Sequence, residues 1–175
     1  KGDGQFMEPI DIAAGPDGTI YVVDDVRDDI QRFSPDGTYL QTFGSHGSGP
    51  GQLSYTGGID VGPDGTVLNA DWDNQRIQAW TADGEFLWTM GKRGGGPGEF
   101  RGPADVLVAA DGRIVVADFD GYRLQVFGPD LTWLGDLPIP DLEAGQTVSG
   151  LAGGGEDGRI YAMRGFTDRI LVLQL

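Results

Sequence analysis

The sequence predicts an all-β fold, and three observations predict it. Glycine accounts for 31 of the 175 residues and marks turns between short runs of β-branched and aromatic residues. A unit of four such runs, joined by two x-Asp-Gly turns and a corner, recurs along the chain, most clearly at 59–91. The glycine of the first turn falls at Gly18, Gly65, Gly112 and Gly158, at intervals of 47, 47 and 46 residues. Four short strands in a period of this length are typical of a β-propeller.

The first repeat shows why each element forms. Its β-branched and aromatic runs predict strands at 10–14, 19–24, 30–33 and 38–43. The turn at 15–18 contains proline, which presets φ, aspartate, which bonds nearby backbone, and glycine, which accepts a positive φ. We therefore expect positive φ at Gly18, Gly65 and Gly112. The x-Asp-Gly triplet recurs at 16–18, 35–37, 63–65, 82–84, 110–112 and 156–158, whereas the seventh site, 129–131, has Leu131 in place of glycine.

The repeats organise residues 1–175 as a single propeller domain. Their approximate limits are 2–43, 44–90, 91–137 and 138–175, with the outer strand absent from the last, which gives fifteen strands. Glycine-rich connections at 44–58 and 91–105 are expected to run from the outer edge of one blade to the inner strand of the next. Phe6, Leu53 and Phe100 recur in these connections and are expected to plug the gaps between blades. Equivalent third-strand positions predict an interblade core at Phe33, Trp80 and Phe127.

The composition excludes several classes of function. The net charge is −15, which repels phosphate backbones and argues against nucleic-acid binding. Cysteine is absent, so disulfides, thiolate metal sites and cysteine nucleophiles are excluded. The sequence contains neither an apolar run long enough for a membrane helix nor a signal peptide. Residue 1 falls inside a repeat, so we expect a processed or partial product that has lost its targeting segment.

The second repeat carries a recognisable motif: Asp64-Gly65, Asp71, Asn74, then 76–80 and 83–87, followed by a glycine-rich stretch from Gly91 to Phe100. This pattern resembles the NHL repeat, and the resemblance covers essentially the whole chain. It implies a propeller, usually of six blades, so that four repeats form an arc of a larger ring. Repeat one departs from the pattern, with Arg27 and Asp29 in place of asparagine and arginine. Repeat four has Arg164 in place of the aspartate.

The resemblance implies several kinds of function. The NHL family includes RNA-binding domains, ligand-sensing extracellular domains, amidating lyases and many bacterial secreted proteins. The zinc site of the lyases needs several histidines, and this chain has only His46. The RNA-binding members use a basic face, which the net charge of −15 argues against. We therefore expect no metal, no cofactor and an extracytoplasmic, bacterial protein.

Charged residues recur at the corner between the second and third strands. Asp24, Asp71 and Asp118 end the second strand in three repeats, and Arg76 and Arg123 lie five residues beyond the last two. A corner of this length brings both ends together, which predicts partly buried Asp–Arg pairs. The alternatives are a ring of carboxylates facing the central channel, or calcium at 71–74 and 118–121, although the further acids of a helix-loop-helix calcium site are missing.

Trp72 and Phe119 occupy equivalent corner positions, where repeat one has Asp25. Corners and connecting loops line the same face of a propeller, and exposed aromatics beside carboxylates are typical of protein or ligand contacts. The alternative is packing onto a neighbouring loop. The candidate interaction surface comprises Asp25, His46, Trp72, Asp73, Lys92, Arg93, Phe119 and Asp120.

No catalytic constellation is recognisable, since no serine lies in G-x-S-x-G and paired carboxylates carry no signal in so acidic a chain. We expect a non-enzymatic scaffold or accessory subunit that mediates protein–protein contact in an extracytoplasmic assembly. The alternatives are a fragment of a propeller lyase or hydrolase whose catalytic residues lie outside this chain, and a ligand-sensing domain. The apolar end at 171–175 is expected to form an open edge covered by a protein partner or by further blades. Direct membrane insertion is not expected.

Overall fold

The structure is a computed structural model that describes residues 2–139, 146–153, 158–164 and 169–175. Within these ranges it contains fifteen strands and no helix, so no described helix could cross a membrane. The strands are β1 (Pro9–Ala14), β2 (Ile20–Asp24), β3 (Asp29–Phe33), β4 (Tyr39–Phe43), β5 (Thr56–Val61), β6 (Val67–Asp71), β7 (Arg76–Trp80), β8 (Phe86–Met90), β9 (Pro103–Val108), β10 (Ile114–Asp118), β11 (Arg123–Phe127), β12 (Trp133–Leu137), β13 (Val148–Gly153), β14 (Arg159–Arg164) and β15 (Ile170–Gln174).

The strands form four antiparallel sheets, each in sequence order: β1 to β4, β5 to β8, β9 to β12, and β13 to β15. We call these sheets blades 1 to 4. The inner strands pack in succession, β1 against β5, β5 against β9 and β9 against β13. The prediction of an all-β propeller of four repeats, with three strands in the last, is therefore confirmed. The glycine-rich connections link the outer strand of one blade to the inner strand of the next, as expected.

Both faces of the middle strands are buried, because each blade lies between two others. All five residues of β6 are buried; Val67 faces the core shared with blade 1 and Leu68 the core shared with blade 3. Strands buried on both sides read as continuous apolar runs rather than as alternating ones. Leu53 and Phe100 are fully buried in these two interblade cores, so the predicted plugs are confirmed at these two positions, whereas Phe6 is only half-buried.

The predicted aromatic core positions do not all have the same environment. Trp80 and Phe127 are buried between blades, as expected from the sequence. Phe33 is only half-buried, so the prediction of an interblade core is wrong at this position. Its ring contacts Phe6 and Tyr39, at centroid distances of 5.7 and 5.9 Å. The physical reason is that no described blade packs against this side of blade 1.

The hairpin turns have the predicted backbone geometry. Gly18, Gly65 and Gly112 have φ of 82°, 83° and 82°, which confirms the expected turn type. Leu131, the residue without glycine's freedom, still adopts φ of 66° and donates its N–H to the Gly128 carbonyl at 2.9 Å. Strands β11 and β12 therefore impose the turn despite the cost of a side chain at positive φ. Of the triplet 156–158, only Gly158 lies within the described residues, and its φ is 69°.

Blade 4 exposes a face that the other blades bury. Tyr161 pairs across the strands with Val172, and Met163 with Ile170; their exposed fractions are 38, 59, 57 and 69%. We call these four residues the end face. The equivalent register in blade 3 consists of Val115, Val126, Ala117 and Leu124, none more than 7% exposed. In blade 2 it consists of Leu68, Ala79, Ala70 and Ile77, none more than 2% exposed.

Blade 1 exposes the other face of its sheet, which in blades 2 and 3 is covered by the preceding blade. Ile12 is 65% exposed, whereas the equivalent Ile59 and Val106 are at most 4% exposed because the preceding blade covers them. Ile10 on the same strand is also exposed. Both ends of the arc therefore present residues at positions that form interblade cores elsewhere in the molecule.

Replacing Gly65 tests mainly the backbone constraint, because a Cβ added there has a single neighbour within 4 Å among the described residues, Ala82 Cβ at 3.9 Å. We expect Gly65→Val to lower the free energy of unfolding by about 1–2 kcal/mol, since β-branched residues resist positive φ. Gly65→Asn should cost clearly less, because asparagine tolerates this conformation. Urea denaturation of both variants measures the difference, and equal costs would contradict the assigned origin.

Candidate functional site

A buried carboxylate at the end of β6 holds the corner of blade 2 to the preceding connection. Asp71 is fully buried and accepts hydrogen bonds from the Ser54 N–H at 3.0 Å, from Asn74 Nδ2 at 2.9 Å and from Arg76 Nε at 2.7 Å. With Gln78 Nε2, which donates to Asp71 Oδ2 at 3.2 Å, four donors compensate the cost of removing this charge from water. The corner therefore cannot move independently of the loop that leads into the blade.

Arg76 extends the same network into the glycine-rich loop. Its guanidinium donates to the carbonyl oxygens of Ser48, Gly49 and Gln52, at 3.0, 2.9 and 2.7 Å. Blade 3 repeats this arrangement: Arg123 Nε lies 3.1 Å from Asp118 Oδ2, and its terminal nitrogens bond the carbonyls of Gly95, Gly96 and Glu99. The Asp–Arg pairs therefore hold the loops in place.

Sequence reasoning did not single out a buried glutamine that completes each of these networks. Gln78 donates to the Gln52 carbonyl at 2.6 Å and accepts from the Gly51 N–H at 2.9 Å. Gln125 makes the same two bonds with Glu99 and Gly98, and Gln31 makes them with Gln5 and Gly4. All three glutamines are fully buried. Their recurrence at one repeat position in three blades is the signal that could have revealed them.

Blades 1 and 4 depart from this pattern where their sequences depart. Asp24 still accepts from the N–H groups of Met7 and Glu8, at 2.5 and 3.1 Å, but Arg27 pairs with Asp29 at 2.8 Å instead of with Asp24. In blade 4, Arg164 occupies the aspartate position and is buried. The loop anchor is thus kept in blade 1 without the arginine.

The corner side of the arc carries a row of three aromatic rings. Trp72 lies between Tyr55 and Phe119, with centroid distances of 6.2 Å to Tyr55 and 5.4 Å to Phe119. Tyr55 is exposed, and Trp72 and Phe119 are half-buried. Of the predicted surface residues, the structure therefore brings Trp72 and Phe119 into contact. It adds Tyr55, whose position in a loop concealed it from repeat comparison.

The charged members of the predicted surface are more dispersed. Asp73 and Asp120 are exposed next to the two aromatic corners, and Asp25 is half-buried at the corner of blade 1. His46 pairs with Asp28 at 2.7 Å, and Lys92 with Glu99 at 3.3 Å. Arg93 is exposed in the loop between blades 2 and 3. The structure thus brings the two aromatic members together, whereas His46 and Lys92 are paired with residues outside the predicted surface.

Two carboxylates converge where the inner strands meet. Asp11, Gly58 and Asp105 occupy the same repeat position at intervals of 47 residues. A Cβ built on Gly58 would overlap the Asp105 carboxylate and lie 2.9 Å from Asp11 Oδ2. Each carboxylate accepts a backbone N–H from the next blade, Asp11 from Ile59 at 2.8 Å and Asp105 from Leu151 at 2.6 Å. Glycine in blade 2 therefore makes room for the side chains of blades 1 and 3.

The environment of these carboxylates favours their neutral forms. Burial raises the pKa of Asp105 to about 8, and the nearby charges of Asp11 and Asp60 contribute to this rise. Burial also raises the pKa of Asp11 and of Asp60. Asp60 makes a third hydrogen bond of this kind between blades, accepting the Val108 N–H at 2.7 Å. In the described part of the chain, no three His, Cys, Asp or Glu side chains are arranged to hold a metal ion.

The opposite side of the arc, where the hairpin turns lie, contains a cleft of about 410 Å³ between blades 2, 3 and 4. Its polar lining includes Asp60, Asp111, Arg113 and Arg159. Arg113 is already paired with Asp111 at 2.7 Å. None of the predicted surface residues lines this cleft, so it is separate from the aromatic corners.

Comparison with known proteins supports the family resemblance and the fold. The family model of the NHL repeat matches residues 100–127, which contain Phe100 and the first three strands of blade 3, β9 to β11. No curated protein sequence matches the chain. The resemblance to an NHL-repeat β-propeller, stated above from the motif residues, is confirmed by this match together with the fold.

Solved structures of similar fold cover nearly the whole chain. A catalytically inactive virginiamycin B lyase from Staphylococcus aureus with quinupristin is 18% identical, with a TM-score of 0.69 over 94% of this chain and 50% of that one. A chain of the nidogen/laminin complex is 18% identical, with a TM-score of 0.72 over 98% and 61%. A protein assigned as a gluconolactonase is 23% identical, with a TM-score of 0.64 over 89% and 55%. The chain thus spans about half to three fifths of the length of these proteins, and the likeness shows the fold.

The glutamine anchors predict a selective loss of stability. Gln78→Leu should lower the free energy of unfolding by about 2–3 kcal/mol, because the Gly51 N–H loses its buried partner and the Gln52 carbonyl keeps only the bond from Arg76. Gln5→Leu is the matched control, since the side chain of Gln5 accepts an exposed hydrogen bond from the Gly2 N–H at 3.2 Å. Thermal and urea denaturation measure both variants. A Gln78→Leu protein as stable as the control would show that the loop does not depend on this side chain.

Asp105 predicts a pH-dependent stability of definite sign. Its folded-state pKa lies above that of an unfolded aspartate, about 3.9, so the folded chain retains a proton that the unfolded chain releases. The stability from Asp105 is therefore fully present below about pH 4 and is lost as the pH rises through about 8. We expect the melting temperature of Asp105→Asn to gain at least about 2 °C on the wild type between pH 5 and pH 8. The matched control is Asp136→Asn, a change at an exposed position, whose melting temperature should follow that of the wild type from pH 5 to pH 8. If the melting temperatures of the wild type and of Asp105→Asn change in parallel over this pH range, the prediction is wrong.

Proposed function

We propose that this chain is a non-enzymatic propeller module that acts as a scaffold or accessory subunit in protein–protein contact. The observation that carries the proposal is the end face of blade 4. Four apolar side chains there are 38–69% exposed at positions that are buried in blades 2 and 3. Exposed apolar surface of this kind marks interfaces. We infer that a protein surface covers the end face in the working assembly.

The edge of β15 adds a second reason for a partner. Blades 1 to 3 each have a fourth strand paired with the third, as Leu124 pairs with Leu137. In blade 4, β15 is the outermost strand of the described sheet. Its outward N–H and C=O groups form the kind of edge that binds an added strand. The partner that fits is one that supplies an antiparallel strand to β15 and apolar side chains to the end face.

Two sources of this partner are compatible with the arrangement: a separate protein, or further propeller blades. Further blades agree with the share of 50–61% that the chain covers of similar structures. A separate protein agrees with the occurrence of a similar fold in the nidogen/laminin complex. We place the assembly outside the cytoplasm, because the repeats resemble those of secreted proteins and the chain is strongly acidic.

One observation favours an enzyme as the second candidate function. A carboxyl group with a pKa of about 8 beside a second carboxylate, as in Asp105 and Asp11, is suited to general acid–base work. Proteins of similar fold include a lyase and a protein assigned as a gluconolactonase. Lactone hydrolysis by the purified chain that is lost in Asp105→Asn would favour this candidate. Both carboxylates accept a backbone hydrogen bond from the next blade, and these bonds favour a structural role.

The scaffold proposal is tested by sedimentation velocity of the chain alone. We expect concentration-dependent association of the wild type at tens of micromolar, because the end face is apolar. The double variant Met163→Lys and Val172→Lys should sediment as a monomer. Leu134→Lys is the matched control, since Leu134 is 57% exposed on blade 3 but lies outside the end face; it should associate like the wild type.

Hydrogen exchange provides the second readout. Amides of β15 whose N–H groups point away from β14 should exchange rapidly in the monomeric double variant and slowly in the associated wild type. A wild-type monomer whose β15 amides are protected at all concentrations would mean that the arc covers its own edge. That result would remove the basis of the proposal.

A further inference from the structure

The aromatic corners form a second surface, separate from the end face and independent of the proposed function. Three segments contribute one ring each: Tyr55 from the loop before blade 2, Trp72 from the corner of blade 2 and Phe119 from the corner of blade 3. Tyr55 meets Trp72 edge-on, with ring planes at 83°, and Phe119 is tilted by 48° from it. Trp72 lies over Gly102, where a Cβ would be 2.9 Å from Trp72 Cζ2. We call these three rings the aromatic row.

The backbone beneath the aromatic row is fixed by hydrogen bonds. Tyr55 donates its N–H to Asp28 Oδ1 at 2.9 Å and has a φ of 50°. Phe119 donates its N–H to the Gly102 carbonyl at 2.8 Å, and Asp73 donates to the Ser54 carbonyl at 3.2 Å. The rings are therefore largely in position before a ligand arrives, which reduces the entropic cost of binding.

The carboxylate of Asp120 lies near the central ring, since both are close to the Cβ position of Gly102. The Cβ position of Gly102 that is 2.9 Å from Trp72 Cζ2 is also 3.0 Å from Asp120 Oδ2. Asp120 is exposed, as is Asp73, the residue after Trp72. Among the described residues, no cation lies within ion-pair distance of Asp73 or Asp120. The corners of blades 2 and 3 thus each carry an exposed carboxylate without an ion pair among the described residues, and that of Asp120 lies near the indole.

Four cations on this side of the arc are already engaged, whereas Arg93 and Arg101 are exposed in the loop between blades 2 and 3. Arg76 and Arg123 bond loop carbonyls and buried aspartates. Lys92 pairs with Glu99, and His46 with Asp28. None of these cations pairs with Asp73 or Asp120 in the described part of the chain, and the net charge of −15 attracts a positive group of a partner over a distance.

We propose that the aromatic row and the carboxylates of Asp73 and Asp120 bind an arginine side chain in a basic, exposed segment of a partner protein. A guanidinium is planar, stacks on indole and phenyl faces, and donates to a carboxylate in the same plane. Trp72 supplies the strongest ring quadrupole for this purpose, and Asp120 the adjacent acceptor. Polyanions such as nucleic acids are repelled by the same carboxylates.

The probe is a blocked peptide with two arginines separated by glycine, and its counterpart with citrulline, which keeps the shape of arginine without the charge. The chain has four tryptophans, so its indole N–H signals can be followed separately by heteronuclear NMR. We expect the arginine peptide to shift the Trp72 signal and to leave those of Trp80, Trp88 and Trp133 in place. The citrulline peptide should bind at least about threefold more weakly, and added salt should weaken only the arginine peptide.

Two variants separate the contributions of ring and charge. Trp72→Leu should abolish binding, with Trp133→Leu as the matched control on the exposed part of β12. Asp120→Asn, a conservative change at an exposed residue, should weaken the arginine peptide about threefold and leave the citrulline peptide unchanged. Equal binding of the two peptides, or an Asp120→Asn variant that binds arginine like the wild type, would overturn the proposal. Sedimentation of Asp120→Asn should match the wild type, so this proposal and the end-face proposal can fail separately.

Discussion

The arc depends on buried side chains that fix each glycine-rich connection to the blade it enters. Asp71 and Gln78 have no exposed surface, and each would be costly to bury without its partners in the loop. The loop in turn meets these side chains with backbone N–H and C=O groups, and in the equivalent loop of blade 3 five of the eight residues 91–98 are glycine. Neither the loop nor the corner is satisfied without the other. This mutual requirement sets where each blade begins relative to its predecessor.

The same requirement creates the surface on the corner side. Since the corner of each blade is bonded to the preceding loop, side chains from successive blades are carried to fixed positions on one face. Trp72 and Phe119 meet there although 47 residues separate them in the chain, and Gly102 provides the space that the indole occupies. The carboxylates of Asp11 and Asp105 show the same principle at the inner strands, where Gly58 makes room for both.

Repetition also explains why the ends of the arc are unusual. A blade in the middle of the array buries both faces, so its second and third strands are apolar on both sides. Blade 4 keeps this apolar pattern at Tyr161, Met163, Ile170 and Val172, but no described blade covers it. The apolar residue pattern of blade 4 follows from the repeat, whereas the exposure of these side chains depends on whether a neighbouring blade covers them.

The sequence by itself determined the blade count, the strand order, the positive φ of the turn glycines and the plugs at Leu53 and Phe100, because these follow from short-range chemistry repeated at a fixed period. Tertiary structure decided the features that depend on neighbours. Leu131 has a left-handed conformation that its own side chain disfavours, because the pairing of β11 with β12 fixes the turn that joins them. Phe33 occupies the repeat position at which Trp80 and Phe127 are buried, but no described blade packs against it. Tyr55 has Glu8 and Gly102 at the equivalent positions of the other repeats, so the repeat gave no sign that an aromatic ring lies beside Trp72.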